Sequence, residues 1–134
     1  MEQTKKLVEV VAAIIKQDDL ILCVQRGFNK YDYISFKYEF PGGKIEKGES
    51  KEEAIIREIK EELNLDIEIK SMFMTVNHEY PNFNLIMHSF LCTSKSVNLT
   101  LTEHVSYQWL TKDKLLNLDW AAADLPIVNK ILND

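Results

Sequence analysis

The most informative segment of this 134-residue chain runs from Gly43 to Leu65 and reads GKIEKGESKEEAIIREIKEELNL. Within it, Ser50 is followed three residues later by Glu53, a capping box that predicts the start of a helix. Apolar residues then recur every four positions, at Ile55, Ile59 and Leu63, with Ile56 alongside. This spacing gives the helix, which closes over residues 60–65, one apolar face, and we expect that face to pack on the body of the protein.

Three glutamates lie beside the apolar face: Glu58, Glu61 and Glu62. Their spacing of i, i+3 and i+4 places the carboxylates on one side of the helix. A solvated acidic surface would give the same pattern. The short loop just ahead holds three of the four glycines of the chain: Gly42, Gly43 and Gly48. Since glycines let backbone carbonyls approach a bound ion, and carbonyl and carboxylate oxygens suit Mg²⁺ or Mn²⁺, the pattern also favours a metal site.

The rest of the chain alternates strand and helix patterns around this segment. Aliphatic runs over residues 7–15 and 20–24, separated by a polar turn at 16–19, predict a hairpin. Further strands are expected at 38–40, 67–76, 85–93 and 106–110, a short helical turn at 111–116, and a terminal helix at 121–132 that contains Pro126. Strands that precede, flank and follow a central helix predict a mixed α/β or α+β fold.

Composition limits the classes of function. The chain is 46% hydrophobic and has a net charge of −5, which predicts one globular domain over residues 1–134 and argues against a polymeric nucleic acid as partner. No secretory leader is visible, and VEVVAAII is too short to span a bilayer, so we expect a cytoplasmic protein with no membrane contact. Cys23 and Cys92 lie in apolar runs and are expected to be buried packing residues.

The segment resembles the Nudix box. That signature is matched by Gly43, Glu49, the run Arg57-Glu58-Ile59, and the run from Glu61 to Leu65. The one departure is Asn64, where the family has glycine, and asparagine tolerates the left-handed conformation that ends a helix. The resemblance implies a mixed β-sheet between α-helices and hydrolysis of a nucleoside diphosphate linked to another group.

The resemblance also implies roles for the box residues. Glu58, Glu61 and Glu62 would bind Mg²⁺, or Mn²⁺ as a substitute, with help from the Gly42 carbonyl. Arg57 would orient the carboxylates and Glu49 would support the loop. The general base would be either a box glutamate or one on a later loop, for which the candidate is Glu103, six residues before Trp109. An ordinary loop glutamate is the alternative at Glu103.

Beyond the box, the chain resembles the MutT-like branch of the family. The segments YEFPGGKIEKGES and WAAADLP carry this resemblance, together with Glu103 and Trp109. It implies hydrolysis of a nucleoside triphosphate to monophosphate and diphosphate by a monomer or homodimer. The expected substrate-binding residues are Arg26 for phosphate, Asp124 for the base edge, Tyr80 and Trp120 beside the base, and Phe40 and Gly43 in the pocket.

Asp124 indicates which bases to expect. As a carboxylate it would accept hydrogen bonds from the cytosine amino group or from guanine N1–H and its amino group. In the family that the chain resembles, MutT itself has an amide at this position, and related enzymes with an Ala-Asp-aliphatic-Pro tail include CTP and methylated dCTP hydrolases. The resemblance therefore implies 8-oxo-dGTP or cytidine nucleotides such as CTP and 5-methyl-dCTP as the expected substrates.

Other interpretations stay open at this stage. Asp124 could instead cap the helix that contains Pro126, and Arg26 could be a solvated strand-end cation. The substrate could be ADP-ribose or a dinucleoside polyphosphate, and a Nudix domain that only binds nucleotides is a further alternative. The three histidines show no zinc-ligand spacing and are expected to be surface or packing residues: His78, His88 and His104.

Overall fold

The computed structural model describes residues 5–134. Seven strands are found there: β1 (Lys6–Gln17), β2 (Leu20–Gln25), β3 (Tyr38–Glu39), β4 (Gly42–Lys44), β5 (Ile67–Glu79), β6 (Phe83–Ser94) and β7 (Ser106–Leu110). The helices of the same region are α1 (Lys51–Leu63), α2 (Leu125–Asn133) and two 3₁₀ helices over Lys112–Asn117 and Ala122–Asp124. None of these helices is long and apolar enough to cross a membrane.

The strands form one mixed sheet with the order β3-β2-β1-β6-β5, to which β4 adds against β1 and β7 against β2. β1 and β6 run parallel over almost their whole length, from the pair Lys6 and Phe83 to the pair Lys16 and Thr93. All other pairings are antiparallel. The expectation of a mixed α/β or α+β fold is confirmed.

Each face of the sheet is covered by a helix. One core packs alternate sheet residues such as Val11, Ala13 and Ile15 against the apolar face of α1. The other packs Ala12 and Ile14 among the buried residues of α2 and its neighbourhood. The period-2 alternation of a strand thus places neighbouring β1 residues in different cores, and the predicted sandwich of sheet and helices is confirmed.

Helix α1 begins and ends as its sequence predicts. The Ser50 side chain accepts from the Glu53 backbone N–H, and the Glu53 carboxylate accepts from the Ser50 N–H. Asn64 adopts a left-handed φ of 52° and its N–H donates to the Lys60 carbonyl. Asparagine therefore serves here as the helix terminator, as expected from its tolerance of this conformation.

The predicted glycine-rich loop is partly wrong, because Gly42 and Gly43 belong to strand β4. Gly42 pairs with Ala12 of β1, and a Cβ atom on Gly42 would lie 1.9 Å from the Val11 carbonyl oxygen. Glycine is required there for close approach of two backbones rather than for a turn. Only Gly48, with φ of 87°, has the loop conformation expected of the group.

The terminal helix starts later than predicted. The segment Ala122–Asp124 forms a 3₁₀ turn and α2 begins at Leu125, because Pro126 lacks an N–H and fits only the first turn of an α-helix. Cys23 and Cys92 are free and buried as predicted. Burial raises the pKa of both thiols to about 12, which leaves them protonated packing groups.

Candidate functional site

A cleft of about 990 Å³ lies against the sheet. Its walls come from strands β1, β3, β4 and β6, helix α1, the loop after β2, the β5–β6 turn, the loop before β7 and the 3₁₀ helix over Ala122–Asp124. The predicted site residues that line it are Arg26, Phe40, Gly42, Gly43, Glu58, Glu62, Tyr80, Glu103 and Asp124. Those that lie outside its lining are Glu49, Arg57, Glu61, Asn64 and Trp120. The cleft has two ends of different chemistry, a carboxylate end and a base end.

The carboxylate end is formed by Glu58, Glu62 and Glu103. Only 8% of Glu62 is exposed, and its Oε2 has no hydrogen-bond partner among residues 5–134. Burial raises the pKa of Glu62 to about 9, with further contributions from its hydrogen bond to Glu58 and from the charges of Glu58, Glu103 and Glu39. The proximity of these carboxyl groups thus opposes ionisation of Glu62, and a cation would favour it.

Gly43 makes room for this crowding. A Cβ atom on Gly43 would lie 2.5 Å from the Glu58 carboxylate, so any other residue would push that side chain away. The sequence placed Gly43 in a phosphate- or ion-binding loop. Its contact with Glu58 shows instead that Gly43 lets strand β4 pack directly against the acidic side of α1.

Arg57 lies on helix α1, outside the cleft lining, and its side chain interacts with several carboxylates at once. Its guanidinium binds Glu49 through two nitrogens, and Nη1 donates to Glu58 Oε1 at 3.0 Å and Glu61 Oε2 at 3.2 Å. Nη2 also donates to the Lys44 carbonyl at 3.1 Å. This bidentate geometry raises the pKa of Arg57 and lowers that of Glu49, so the side chain is a permanent cation joining the box loop to α1.

The fit of these residues to a divalent cation can be judged from their donors. Within residues 5–134 no three His, Cys, Asp or Glu side chains are arranged to hold a metal ion. Glu61 contributes to this result because its side chain is 61% exposed and turned to Arg57. However, the unpartnered oxygen of Glu62 and the nearby carboxylates of Glu58 and Glu103 are hard oxygen donors, and only Glu58 among them is paired with Arg57. Their chemistry fits a hard divalent cation.

The base end is organised by Asp124. Its side chain is buried, with 4% of the residue exposed, and its Oδ2 accepts from the Phe40 N–H at 2.9 Å. Asp124 occupies the N-cap position of α2, as the helix-cap alternative expected, but its side chain makes no capping hydrogen bond to that helix. Burial, followed by the charge of Glu39, raises the pKa of Asp124 well above its usual value. The raised pKa favours retention of the proton relative to an exposed aspartate, a property that the expected acceptor-only carboxylate does not include.

Aromatic side chains surround this end. The Tyr80 hydroxyl accepts from the Ala123 N–H at 3.0 Å, and the Tyr80 ring stacks on Tyr33 at 5.0 Å. Trp120 was expected beside the base, but it packs on Phe40 at 4.7 Å while its Nε1 donates to the Leu115 carbonyl. Trp120 thus supports Phe40 from the core, because it lies at the edge of the 3₁₀ turn rather than on the cleft wall.

The sequence did not identify Glu39 and His104, two polar cleft residues that interact with each other. Glu39 lies between the two ends, with Oε1 3.6 Å from Arg26 Nη1 and Oε2 3.0 Å from His104 Nε2. His104 had been expected on the surface or in packing. Neither residue belongs to a spaced motif, and the only available signal was their adjacency to the predicted site residues Phe40 and Glu103.

The fold and this geometry agree with comparisons to known proteins. The family model of the NUDIX domain matches residues 5–131. The chain belongs to the Nudix hydrolase family. It is 31% identical to the CTP pyrophosphohydrolase of Escherichia coli (strain K12) over 127 residues, which cover 95% of this chain and 93% of that protein.

Two other Nudix relatives cover nearly the whole chain. The 8-oxo-dGTP diphosphatase of Escherichia coli (strain K12) is 28% identical over 95% of this chain and 97% of its own length. A solution NMR structure of a MutT protein of the Nudix hydrolase family, from methicillin-resistant Staphylococcus aureus 252, is 42% identical with a TM-score of 0.74, covering 97% and 98%. The chain is thus a MutT-like Nudix hydrolase, as the resemblance of the box implied.

Proposed function

We propose that the chain hydrolyses a nucleoside triphosphate to the monophosphate and diphosphate, with Mg²⁺ as cofactor. The observation that carries the proposal is the single cleft in which a cluster of carboxyl groups faces one end and a buried carboxyl group with aromatic neighbours faces the other. A triphosphate linked to a base has the matching division into a polyanion that needs cations and a flat polar ring.

The carboxylate end supports the reaction half of the proposal. Glu58, Glu61 and Glu62, with the Gly42 carbonyl and Glu103, would hold the metal, which neutralises phosphate charge and activates water for attack at phosphorus. Arg57 would orient Glu58 and Glu61 through its shared guanidinium, with Glu49 fixing Arg57 itself. The exposed Glu103 faces the cleft from a loop and is the proposed group that accepts the proton of the attacking water.

Arg26 would bind a phosphate oxygen. Its side chain is 44% exposed, lines the cleft, and is oriented by Glu39 without being neutralised by a close bidentate pair. A guanidinium in this state keeps donors free for a ligand.

Asp124 supports the choice of base. A protonated carboxyl group presents one donor and one acceptor side by side. Cytosine offers the complementary pair in its N4 amino group and N3, and 8-oxoguanine offers it in N7–H and O6. On the same N7 edge, unmodified guanine shows two acceptors, N7 and O6. For a base that presents this edge to Asp124, we propose 8-oxo-dGTP or a cytidine nucleotide, such as CTP or 5-methyl-dCTP, in preference to dGTP.

Incubation of the purified protein with Mg²⁺ and single nucleotides tests the proposal, with products separated by ion-exchange chromatography. The set would contain 8-oxo-dGTP, dGTP, CTP, dCTP, 5-methyl-dCTP, ADP-ribose and a dinucleoside tetraphosphate. Monophosphate with diphosphate from one triphosphate is the expected result, and the same reaction in H₂¹⁸O identifies the phosphorus that is attacked. Turnover of ADP-ribose or the dinucleotide alone would contradict the substrate class, and turnover of nothing would favour a nucleotide-binding domain.

A further inference from the structure

Glu39 and His104 form a hydrogen-bonded pair in the cleft. Glu39 belongs to strand β3 and His104 to the loop before β7, 65 residues apart in the chain. The charge of Glu39 acts on Glu62 at one end and on Asp124 at the other. The pair therefore stands between the two ends of the cleft.

The state of the imidazole follows from its partners. His104 Nε2 lies 3.0 Å from Glu39 Oε2, and a carboxylate only accepts, so Nε2 carries the hydrogen and donates. The His104 side chain is 5% exposed, and its Nδ1 is buried without a hydrogen-bond partner among residues 5–134. A buried unpaired nitrogen is unfavourable for folding. Stability alone would thus favour an apolar residue at this position, which points to a functional reason for the imidazole.

The orientation of Glu39 also affects the position of Arg26. The two Glu39 carboxylate oxygens have different partners, since Oε2 accepts from His104 and Oε1 faces Arg26 Nη1 at 3.6 Å. The hydrogen bond to Oε2 restricts the orientation of the Glu39 carboxylate. It therefore also restricts the direction from which Glu39 attracts the Arg26 guanidinium. Residues that hold a ligand-binding side chain in this indirect way affect binding strongly in many sites.

The same imidazole also fixes the loop that carries Glu103. On one side of Glu103, the Thr102 N–H and hydroxyl donate to the Glu62 carbonyl at 3.2 and 3.0 Å. On the other side, the Val105 N–H donates to the Gln25 carbonyl at 3.0 Å. Between these anchors, His104 is the one buried side chain of the loop that reaches across to β3, and it adjoins Glu103 directly.

We propose that His104 is a positioning residue that, through Glu39, aligns Arg26 with the Glu103 loop so that both ends of the cleft engage one nucleotide. This inference rests on the proposed function, since it assigns Arg26 to phosphate and Glu103 to the reaction. It differs from a merely structural role because it predicts a change in substrate affinity at unchanged fold.

A second histidine offers a matched control. His88 is also buried and paired with a glutamate, with its Nε2 2.6 Å from Glu9 Oε2, but its Nδ1 is satisfied by Thr75 Oγ1 at 3.0 Å. His88 and Glu9 lie outside the cleft lining. Loss of this pair should therefore destabilise the sheet without altering the site.

The test compares His104→Leu, His104→Gln and His88→Leu. Steady-state kinetics on the preferred nucleotide, Mn²⁺ binding by electron paramagnetic resonance and thermal unfolding would be measured for each. We expect His104→Leu to raise KM about tenfold and to weaken Mn²⁺ binding, with a Tm at or above that of the wild type. His104→Gln keeps a donor near the Nε2 position and should recover most of the loss. His88→Leu should lower Tm and leave KM and Mn²⁺ affinity within about twofold.

Several results would overturn the inference. One is an unchanged KM and Mn²⁺ affinity in His104→Leu. Another is a KM change in His88→Leu as large as that in His104→Leu, which would indicate general loosening, and a third is failure of the glutamine variant to recover. If the wild type hydrolyses a nucleotide other than a triphosphate, the proposed function is wrong. The three variants are then compared on that nucleotide, and the role of His104 is still tested. If it hydrolyses none, Mn²⁺ binding still decides the role of His104.

Discussion

The two ends of the cleft are built in different ways. The carboxylate end comes mainly from one continuous segment, in which strand β4, a loop and helix α1 bring Gly43, Glu58 and Glu62 together, and Glu103 is added from the loop before β7. The base end is assembled from distant segments around Phe40, Tyr80 and Asp124. A local motif can therefore specify the reaction, whereas the choice of substrate depends on how the whole fold is connected.

The ends also use a buried carboxyl group differently. Glu62 has an oxygen without a partner among residues 5–134 and crowded negative neighbours, which raise its pKa. Asp124 is buried as well, but its Oδ2 accepts from a backbone N–H. In the proposed function, the same chemical group would bind a metal ion at one end and form hydrogen bonds at the other.

Glu62→Gln has the largest expected effect and tests the difference between the two ends of the cleft. We expect kcat to fall about 10²–10³-fold, because a neutral amide cannot supply the charge that binds the cation. Glu61→Gln should also be severely impaired. Steady-state kinetics with saturating Mg²⁺ would measure both, and Glu52→Gln, an exposed carboxylate on the same helix, is the control. Full activity in both variants would remove the basis for the metal site.

Asp124→Asn tests the base end. The amide oxygen can still accept from the Phe40 N–H, so the fold should persist, but the amide always keeps its two donors. We expect the ratio of kcat/KM between the preferred nucleotide and its closest competitor to change about 10–100-fold. Competition assays with paired nucleotides would measure it. A ratio that stays constant would mean that Asp124 supports Phe40 and does not contact the base.

The stability of the metal-free protein should depend on pH in an unusual direction. The unfolded chain releases the Glu62 proton near pH 4.5, whereas the folded chain keeps it until about pH 9. The folded state then holds more protons, so stability falls as pH rises between these values. Asp124 contributes with the same sign.

The size of this effect is limited because Glu62, although only 8% exposed, lines an open cleft whose water screens its interactions. We expect a decrease of about 1 kcal/mol, or about 3–5 °C in Tm, from pH 5.5 to 8.5 in EDTA. Scanning calorimetry would measure it, and Glu62→Gln should flatten the slope. Addition of Mg²⁺ should reverse the trend, since metal binding requires the ionised carboxylate. A rise of stability with pH in EDTA would contradict the assigned environment of Glu62.

The smallest expected effect concerns the departure from the family signature at Asn64. Because the residue has φ of 52°, Asn64→Ala should destabilise the protein by about 1 kcal/mol, and Asn64→Gly should be neutral or slightly stabilising. Urea unfolding would measure both. Equal losses in the two variants would show that the asparagine side chain, and not the backbone conformation, is what matters.

The sequence predicted helix α1 well because the information that specifies it is local. The capping box at Ser50 and the apolar spacing of α1 require only neighbours in the chain, and both are present in the structure. The positions of Trp120 and His104 depend on long-range packing, which no spacing encodes. Gly42 shows the same limit, since its need for glycine comes from Val11 on another strand. The proton state of Asp124 is set by burial and by Glu39, and the sequence reveals neither.

The hydrogen bonding of strand β1 restricts local unfolding in the centre of the sheet. The strand is hydrogen-bonded to β6 along one edge, and on the other edge to β4, to the Pro41 carbonyl and to β2 in succession. We expect amides at residues 11–15 to show the slowest hydrogen exchange, limited by global unfolding. Both ends of the cleft are attached to this strand. Local opening of the surrounding loops would therefore admit and release ligands without changing the spacing between the two ends.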